Sequence, residues 1–266
     1  MEQALSLARV AVSLIFLSYS SWSDLKTREV SNLVWIFFGP IGLALTLTQF
    51  FLFPPRGDLF QSLLFYGVSF GFTTVFSFVL FYAGAFGGAD AKALMCLSLA
   101  LPLPPRVADP VSGFVSEIFP ITIFSNGVIV AALSVFYALL RNISQRWRSG
   151  KKLFEGHENE SPIRKFLALL CGYKVPADKL AESFLYPLED VKVSSEGEVK
   201  RKLVLFPKDE SRETIVGRIL EAEKEGKIDR MIWATPGLPM LVFITIGLAL
   251  ALTLGDIVWI AVSSLL

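Results

Sequence analysis

LFQSLLFYGVSFGFTTVFSFVLFYA, residues 59–83, runs for twenty-five positions without a charged side chain. In hydrocarbon only a helix satisfies its own backbone hydrogen bonds, and roughly 20 apolar residues cross a bilayer, so this stretch reads as a membrane span. Outward from it lie five more apolar runs: Ala4–Trp22 and Leu33–Phe53 before it, then Asp90–Leu103, Phe114–Leu140 and Pro239–Ile260 after it. The run from Asp90 is short for a full crossing, so it either extends into Pro104 or sits among the other helices. With 53% hydrophobic residues and a mean hydropathy of +0.56, the 266-residue chain is more apolar than soluble domains are. Glu2 ahead of the first run and Asp24–Arg28 behind it indicate a retained helix rather than a cleaved signal peptide.

Between Arg141 and Met231 the composition inverts: 19 of the 25 basic and 16 of the 24 acidic residues fall there. That segment reads as a water-exposed α+β domain. Ser161-Pro162 starts a helix through Leu170, a second short one covers Ala177–Phe184, and Arg212–Glu225 ended by Gly226 is the clearest soluble helix. Asp190–Ser194 and Val199–Phe206, separated by Ser195-Glu196-Gly197-Glu198, read as a hairpin. The expected architecture is a polytopic α-helical membrane protein: six transmembrane helices, with a small cytoplasmic α+β domain between the fifth and sixth. Its parts are residues 1–140, 141–231 and 232–266.

Lys26, Arg28, Lys92 and the basic domain fall on one side of such a chain, and only Arg56 and Arg106 on the other. The excess of Lys and Arg marks the cytoplasmic side, which places both termini outside and Asp24, Asp90 and the polar domain inside, in the plasma membrane. The net charge of +1 gives no field to recruit nucleic acid. Cys96 and Cys171 have no spacing of a disulfide framework or zinc knuckle.

Asp24 ends the first helix and Asp90 begins the fourth, so both lie at the cytoplasmic boundary, able to meet. Carboxylates near hydrocarbon are costly and mark function. Two of them close together share one proton, making one a base and the other an acid at the same pH. Such a pair activates water against a peptide carbonyl and needs no metal or other cofactor. Gly87-Gly88-Ala89 just before Asp90 leaves room for a peptide backbone. A proton-coupled transporter also uses paired intramembrane carboxylates, but it predicts an inverted repeat, which the sequence lacks. A membrane receptor leaves both aspartates unexplained.

Gly87-Gly88-Ala89-Asp90 resembles the Gly-x-Gly-Asp motif of archaeal preflagellin peptidases, relatives of type IV prepilin peptidases, with Ala89 where Gly is commoner. Asp24-Leu25-Lys26-Thr27-Arg28-Glu29-Val30-Ser31-Asn32 is similar to that family's first-aspartate segment. Trp233-Ala234-Thr235-Pro236-Gly237-Leu238-Pro239 resembles the junction before its last helix. The resemblance spans the whole six-helix layout. It implies catalytic roles for Asp24 and Asp90, and cleavage of preflagellin or pilin-like precursors after a short basic leader. The paired cysteine motifs of many bacterial relatives are absent. Pro236, Gly237 and Pro239 serve as helix-start punctuation, or as a rigid segment that pairs with an extended substrate.

Other residues have plainer readings. Asp256 is the rival carboxylate, expected near the opposite face as a packing or interface anchor. Asp58 and Asp109 are expected in solvated external loops. His157, the only histidine, lies in a polar run and is expected in solvent. Asn142-Ile143-Ser144 matches a glycosylation sequon on the wrong side of the membrane.

Overall fold

A computed structural model of the chain describes residues 1–107, 109–150, 152–182, 184–193, 199–204 and 211–264. In order the elements are α1 (Glu2–Thr27), α2 (Asn32–Leu52), α3 (Leu59–Tyr82), α4 (Gly88–Ala100), α5 (Phe119–Ser149), α6 (Pro162–Cys171), β1 (Tyr173–Pro176) and α7 (Asp178–Glu182). They continue with β2 (Leu185–Pro187), β3 (Glu189–Val193), β4 (Val199–Leu203), α8 (Arg212–Lys224), β5 (Met231–Pro236), α9 (Met240–Thr253) and α10 (Ile257–Ser263). The chain divides into two compact units, residues 1–131 with 239–266, and residues 132–238.

Helices α1, α2 and α3 of the first unit, and α5, whose residues are divided between the two units, are each long and apolar enough to cross a membrane, and α9 with α10 makes a fifth span if that bent pair crosses once. Helix α3 carries the signature of lipid exposure. It buries Ser62, Ser69, Thr73 and Ser77 and turns Phe60, Leu64, Val68, Phe72, Val75 and Val79 outward. Small hydroxyl residues let helices approach closely where lipid offers no hydrophobic drive between them, and Ser69 donates to the Pro102 carbonyl at 2.6 Å. At the crossing of α5 and α9 a Cβ on Gly247 would stand 2.2 Å from the Ile123 carbonyl oxygen, so only glycine permits that approach.

The central element is α4, packed against α1, α2, α3 and α9. Its Ala93, Leu94, Leu97 and Ala100 are fully buried, with Leu17, Phe38, Ile123, Ile244 and Leu248 around them. At 13 residues it is about 20 Å long, short of the roughly 30 Å of hydrocarbon. The short fourth run is therefore an interior helix.

The C-terminal end of α4 is held by a charge buried in the apolar bundle. Arg9, 2% exposed, donates from Nε to the Ala100 carbonyl at 2.7 Å and from Nη1 to Gln49 Oε1 at 2.9 Å. Thr46 donates to the same carbonyl, and Gln49 donates to Ser6 Oγ. A cation at a helix C-terminus meets the negative end of its dipole, which ties α1, α2 and α4 together at one level.

Four apolar runs have ends that differ from the sequence expectation. Helix α1 continues past the expected Trp22 to Thr27, and Asp24 lies on its last turn. The fourth run, expected as Asp90–Leu103, is helical over Gly88–Ala100. The fifth helix begins at Phe119, not Phe114, and runs past Leu140 to Ser149. The sixth breaks by 58° because Gly255 takes a left-handed φ of 88° and Asp256 then caps a new helix, accepting from Trp259 N.

In the second unit β5 is the central strand of an antiparallel sheet ordered β1-β5-β2, and β3 with β4 forms a hairpin. The loop expected at Ser195–Glu198 lies outside the described residues, as do 205 and 206 at the end of the second hairpin run. Ser161 caps α6 with Pro162 at its first position, and Ser211 caps α8. Ile215 and Ile219 of α8 pack with Val175, Leu180 and Ile232. His157 is not in solvent: it is 2% exposed, its Nε2 lies 2.6 Å from Glu189 Oε2, and Arg201 meets Glu189 Oε1 at 2.7 Å. The polar run around it folds over a buried ion cluster, which local composition does not reveal.

Candidate active site

Asp24 sits on the final turn of α1, half-buried, with its own carbonyl accepting the Arg28 N–H that closes the helix. Arg28 adopts a left-handed φ of 58°, and the chain reverses sharply toward Ser31, whose hydroxyl caps α2. Thr27 Oγ1 donates to the Ser23 carbonyl and Ser23 Oγ to the Glu29 carbonyl, which stiffens the reversal. Ser21, one turn before Asp24, hydrogen-bonds Thr245 of α9 at 2.8 Å.

Asp90 is the third residue of α4 and is also half-buried. Its Oδ2 accepts the Gly87 N–H at 2.9 Å, in the manner of a capping box. A Cβ on Gly87 would come 3.2 Å from that same oxygen. Phe86, packed edge-on against Phe124 at 5.7 Å, anchors the turn that leads in. Lys92 Nζ donates to Asn32 Oδ1 at 2.7 Å, which ties the first turns of α4 and α2. Through these contacts the reversal after α1 and the start of α4 share one end of the bundle, and Asp24, Arg28 and Asp90 lie within electrostatic reach of one another.

Residues 11–136 match the model of the type IV leader peptidase family, and residues 164–257 match that of the archaeal peptidase A24 C-terminus, type II. The two matches give the chain a type IV leader peptidase region and an archaeal A24 C-terminal region. Among its relatives, a preflagellin peptidase of Methanococcus voltae is 25% identical over 257 residues, covering 92% of this chain and 94% of that one. A preflagellin peptidase of Methanococcus maripaludis (strain C6 / ATCC BAA-1332) is 23% identical over 249 residues, 89% and 90% of the two chains. Asp24 and Asp90 fall within the part of the chain matched by the first model, and Pro236, Gly237 and Pro239 within that matched by the second.

The remaining candidates have structural places. Pro236 ends β5, paired with Leu185, and β5 is hydrogen-bonded along both edges by β1 and β2; Gly237 follows, and Pro239 precedes α9. Asp256 accepts from Thr122 Oγ1 at 3.2 Å and caps α10, so it serves packing. Asp58 caps α3 through Gln61 N, and Asp109 is exposed. Sequence reasoning assigned nothing to Arg9, although a lone arginine inside an otherwise uncharged apolar run is itself a signal. It also missed the Lys92–Asn32 tie, which no spacing rule gives.

Proposed function

We propose that this protein is a membrane aspartic endopeptidase with Asp24 and Asp90 as its catalytic pair, and that it removes a short basic leader from preflagellin or pilin-like precursors. The observation that supports the proposal is that two half-buried carboxylates, 66 positions apart in the chain, lie within electrostatic reach of each other at one end of a helix bundle whose residues 11–136 match the type IV leader peptidase family. With one proton between them, the ionised carboxylate takes a proton from water as its oxygen attacks the peptide carbonyl carbon. The protonated partner gives its proton to the carbonyl oxygen. In the second half the newly protonated carboxyl gives its proton to the amine nitrogen while the other carboxylate takes one from a hydroxyl of the tetrahedral intermediate, so the C–N bond breaks, the carbonyl re-forms and the pair again holds one proton. Gly87-Gly88-Ala89 keeps side chains clear of the approaching backbone. A helix hides its carbonyls in its own hydrogen bonds, so the cut lies in an extended stretch just outside the precursor's apolar segment.

The proposed topology has six crossings, with α4 and the residues after it as the fourth. Both termini are outside, and the aspartates and the second unit are cytoplasmic, in keeping with Lys26, Arg28 and Lys92 on that side. The test mixes purified protein in detergent with a preflagellin-type precursor, alongside Asp24→Asn and Asp90→Asn. Each substitution is expected to cut the cleavage rate by roughly 10²–10⁴-fold, since Asn cannot exchange the proton. Wild-type cleavage by either variant removes that residue from the pair. Chelators are expected to leave the rate unchanged.

A further inference from the structure

In the second unit a cavity of 680 Å³ lies along α5, with Lys174 of β1 and Met231 of β5 on its far side. The α5 wall is one helix face: Tyr137, Leu140, Arg141, Ser144 and Arg148 recur at three- and four-residue steps. Chemistry changes along that face. Phe119–Leu140 is uncharged and, at about 1.5 Å per residue, about as long as the hydrocarbon is thick, so α5 leaves the membrane where Arg141 begins. Tyr137 and Leu140, both exposed, stand at that boundary, and Trp147, 83% exposed, lies beyond it.

Three cations surround the cavity, and among the described residues no carboxylate forms a salt bridge with Arg141, Arg148 or Lys174. The Arg141 guanidinium is fixed over the Tyr173 ring at 3.8 Å and donates to Tyr137 Oη at 3.1 Å. Burial, with Arg201 nearby, holds the Lys174 ammonium below the usual lysine range, although Glu189, Asp229 and Glu155 act on it in the opposite direction. We infer that this cavity binds the headgroup of an anionic phospholipid, its phosphate between Arg141, Arg148 and Lys174 and its acyl chains leaving past Leu140 and Tyr137. Ser144 and Gln145 add hydrogen-bonding groups at phosphate height. A soluble phosphate ester shares the headgroup chemistry but makes no use of the apolar end, and basic pockets beside membrane helices select anionic headgroups.

The inference is independent of the peptidase reading, because its readout is bound lipid. Full-length protein, delipidated in detergent, is titrated with dioleoylphosphatidylglycerol or dioleoylphosphatidylcholine, and retained lipid is counted by native mass spectrometry. Glycerol phosphate in large excess is the soluble competitor. Saturable retention of the anionic lipid alone is expected, weakened about fivefold in Arg148→Gln and roughly thirtyfold in Arg141→Gln/Arg148→Gln, with no displacement by glycerol phosphate. Arg148 is exposed, so its loss does not threaten the fold. Arg164→Gln, an exposed cation off the cavity, is expected to bind as wild type. Equal retention of the neutral lipid, wild-type binding by the double variant, an equal drop in Arg164→Gln, or displacement by glycerol phosphate each overturns the assignment.

Discussion

Two carboxylate pairs in this molecule are held in opposite ways. Glu189 and Asp190 are adjacent on β3 and point to opposite faces, as strand residues must. Each is buried, and each meets a guanidinium: Glu189 takes Arg201 Nη2 at 2.7 and 3.0 Å, and Asp190 takes Arg218 in a bidentate pair, from Nε to Oδ1 at 3.2 Å and from Nη2 to Oδ2 at 3.0 Å. Asp24 and Asp90 come from different helices and each feels the other's like charge together with the Arg28 guanidinium, and the Asp90 carboxylate accepts a hydrogen bond from the Gly87 backbone N–H. A carboxylate locked to arginine serves as a fixed anion. One that faces another carboxylate at a half-buried helix end can trade a proton, so burial alone does not separate a structural acid from a reactive one.

The contrast makes crossed predictions. Asp90→Asn is expected to lower cleavage by orders of magnitude while leaving thermal unfolding close to wild type. Glu189→Gln is expected to do the reverse. It strands Arg201 and His157 beside a neutral amide and destabilises the second unit by about 3–5 kcal/mol, read as a lower unfolding midpoint by circular dichroism, with normal cleavage per folded molecule. If Glu189→Gln lost cleavage without losing stability, the division between the two pairs would fail.

Gly247→Ala acts in the first unit without touching any charge. Its methyl group meets the Ile123 carbonyl and must push α9 off α5, an overpacking cost of about 1–3 kcal/mol. A lowered unfolding midpoint with an altered cleavage rate is expected, because α9 also holds α1 one turn below Asp24 through Thr245 and Ser21. The smallest effect belongs to Gly87→Ala. The backbone there, at φ −73° and ψ 161°, suits alanine, but the new methyl sits 3.2 Å from Asp90 Oδ2. A loss of cleavage of about tenfold or less, with no change in stability, is expected from a carboxyl displaced by a few tenths of an ångström. A wild-type rate would mean that the exact seat of Asp90 matters little.

Much of the fold was legible because hydrocarbon is an unforgiving solvent. Uncharged runs such as 59–83 have no alternative to helix, and the Ser161-Pro162 helix start uses local chemistry that a sequence displays. The candidate aspartates were legible for the same reason, as charges placed at the edges of apolar runs. The interior position of α4 was only partly legible: its shortness was visible, but its enclosure by four helices was not. The bend at Gly255 and Asp256 was hidden within an apolar run.

By itself the sequence marked which segments are long and apolar enough to form membrane helices and which acids flank them, since these follow from transfer of side chains out of water and from local caps. Tertiary structure alone decided which charges meet. It drew Arg9 to the end of α4, His157 and Arg201 to Glu189, and the reversal after Asp24 to the helix bearing Asp90. Electrostatic partners are chosen by distance in space, and separation along the chain carries no record of it.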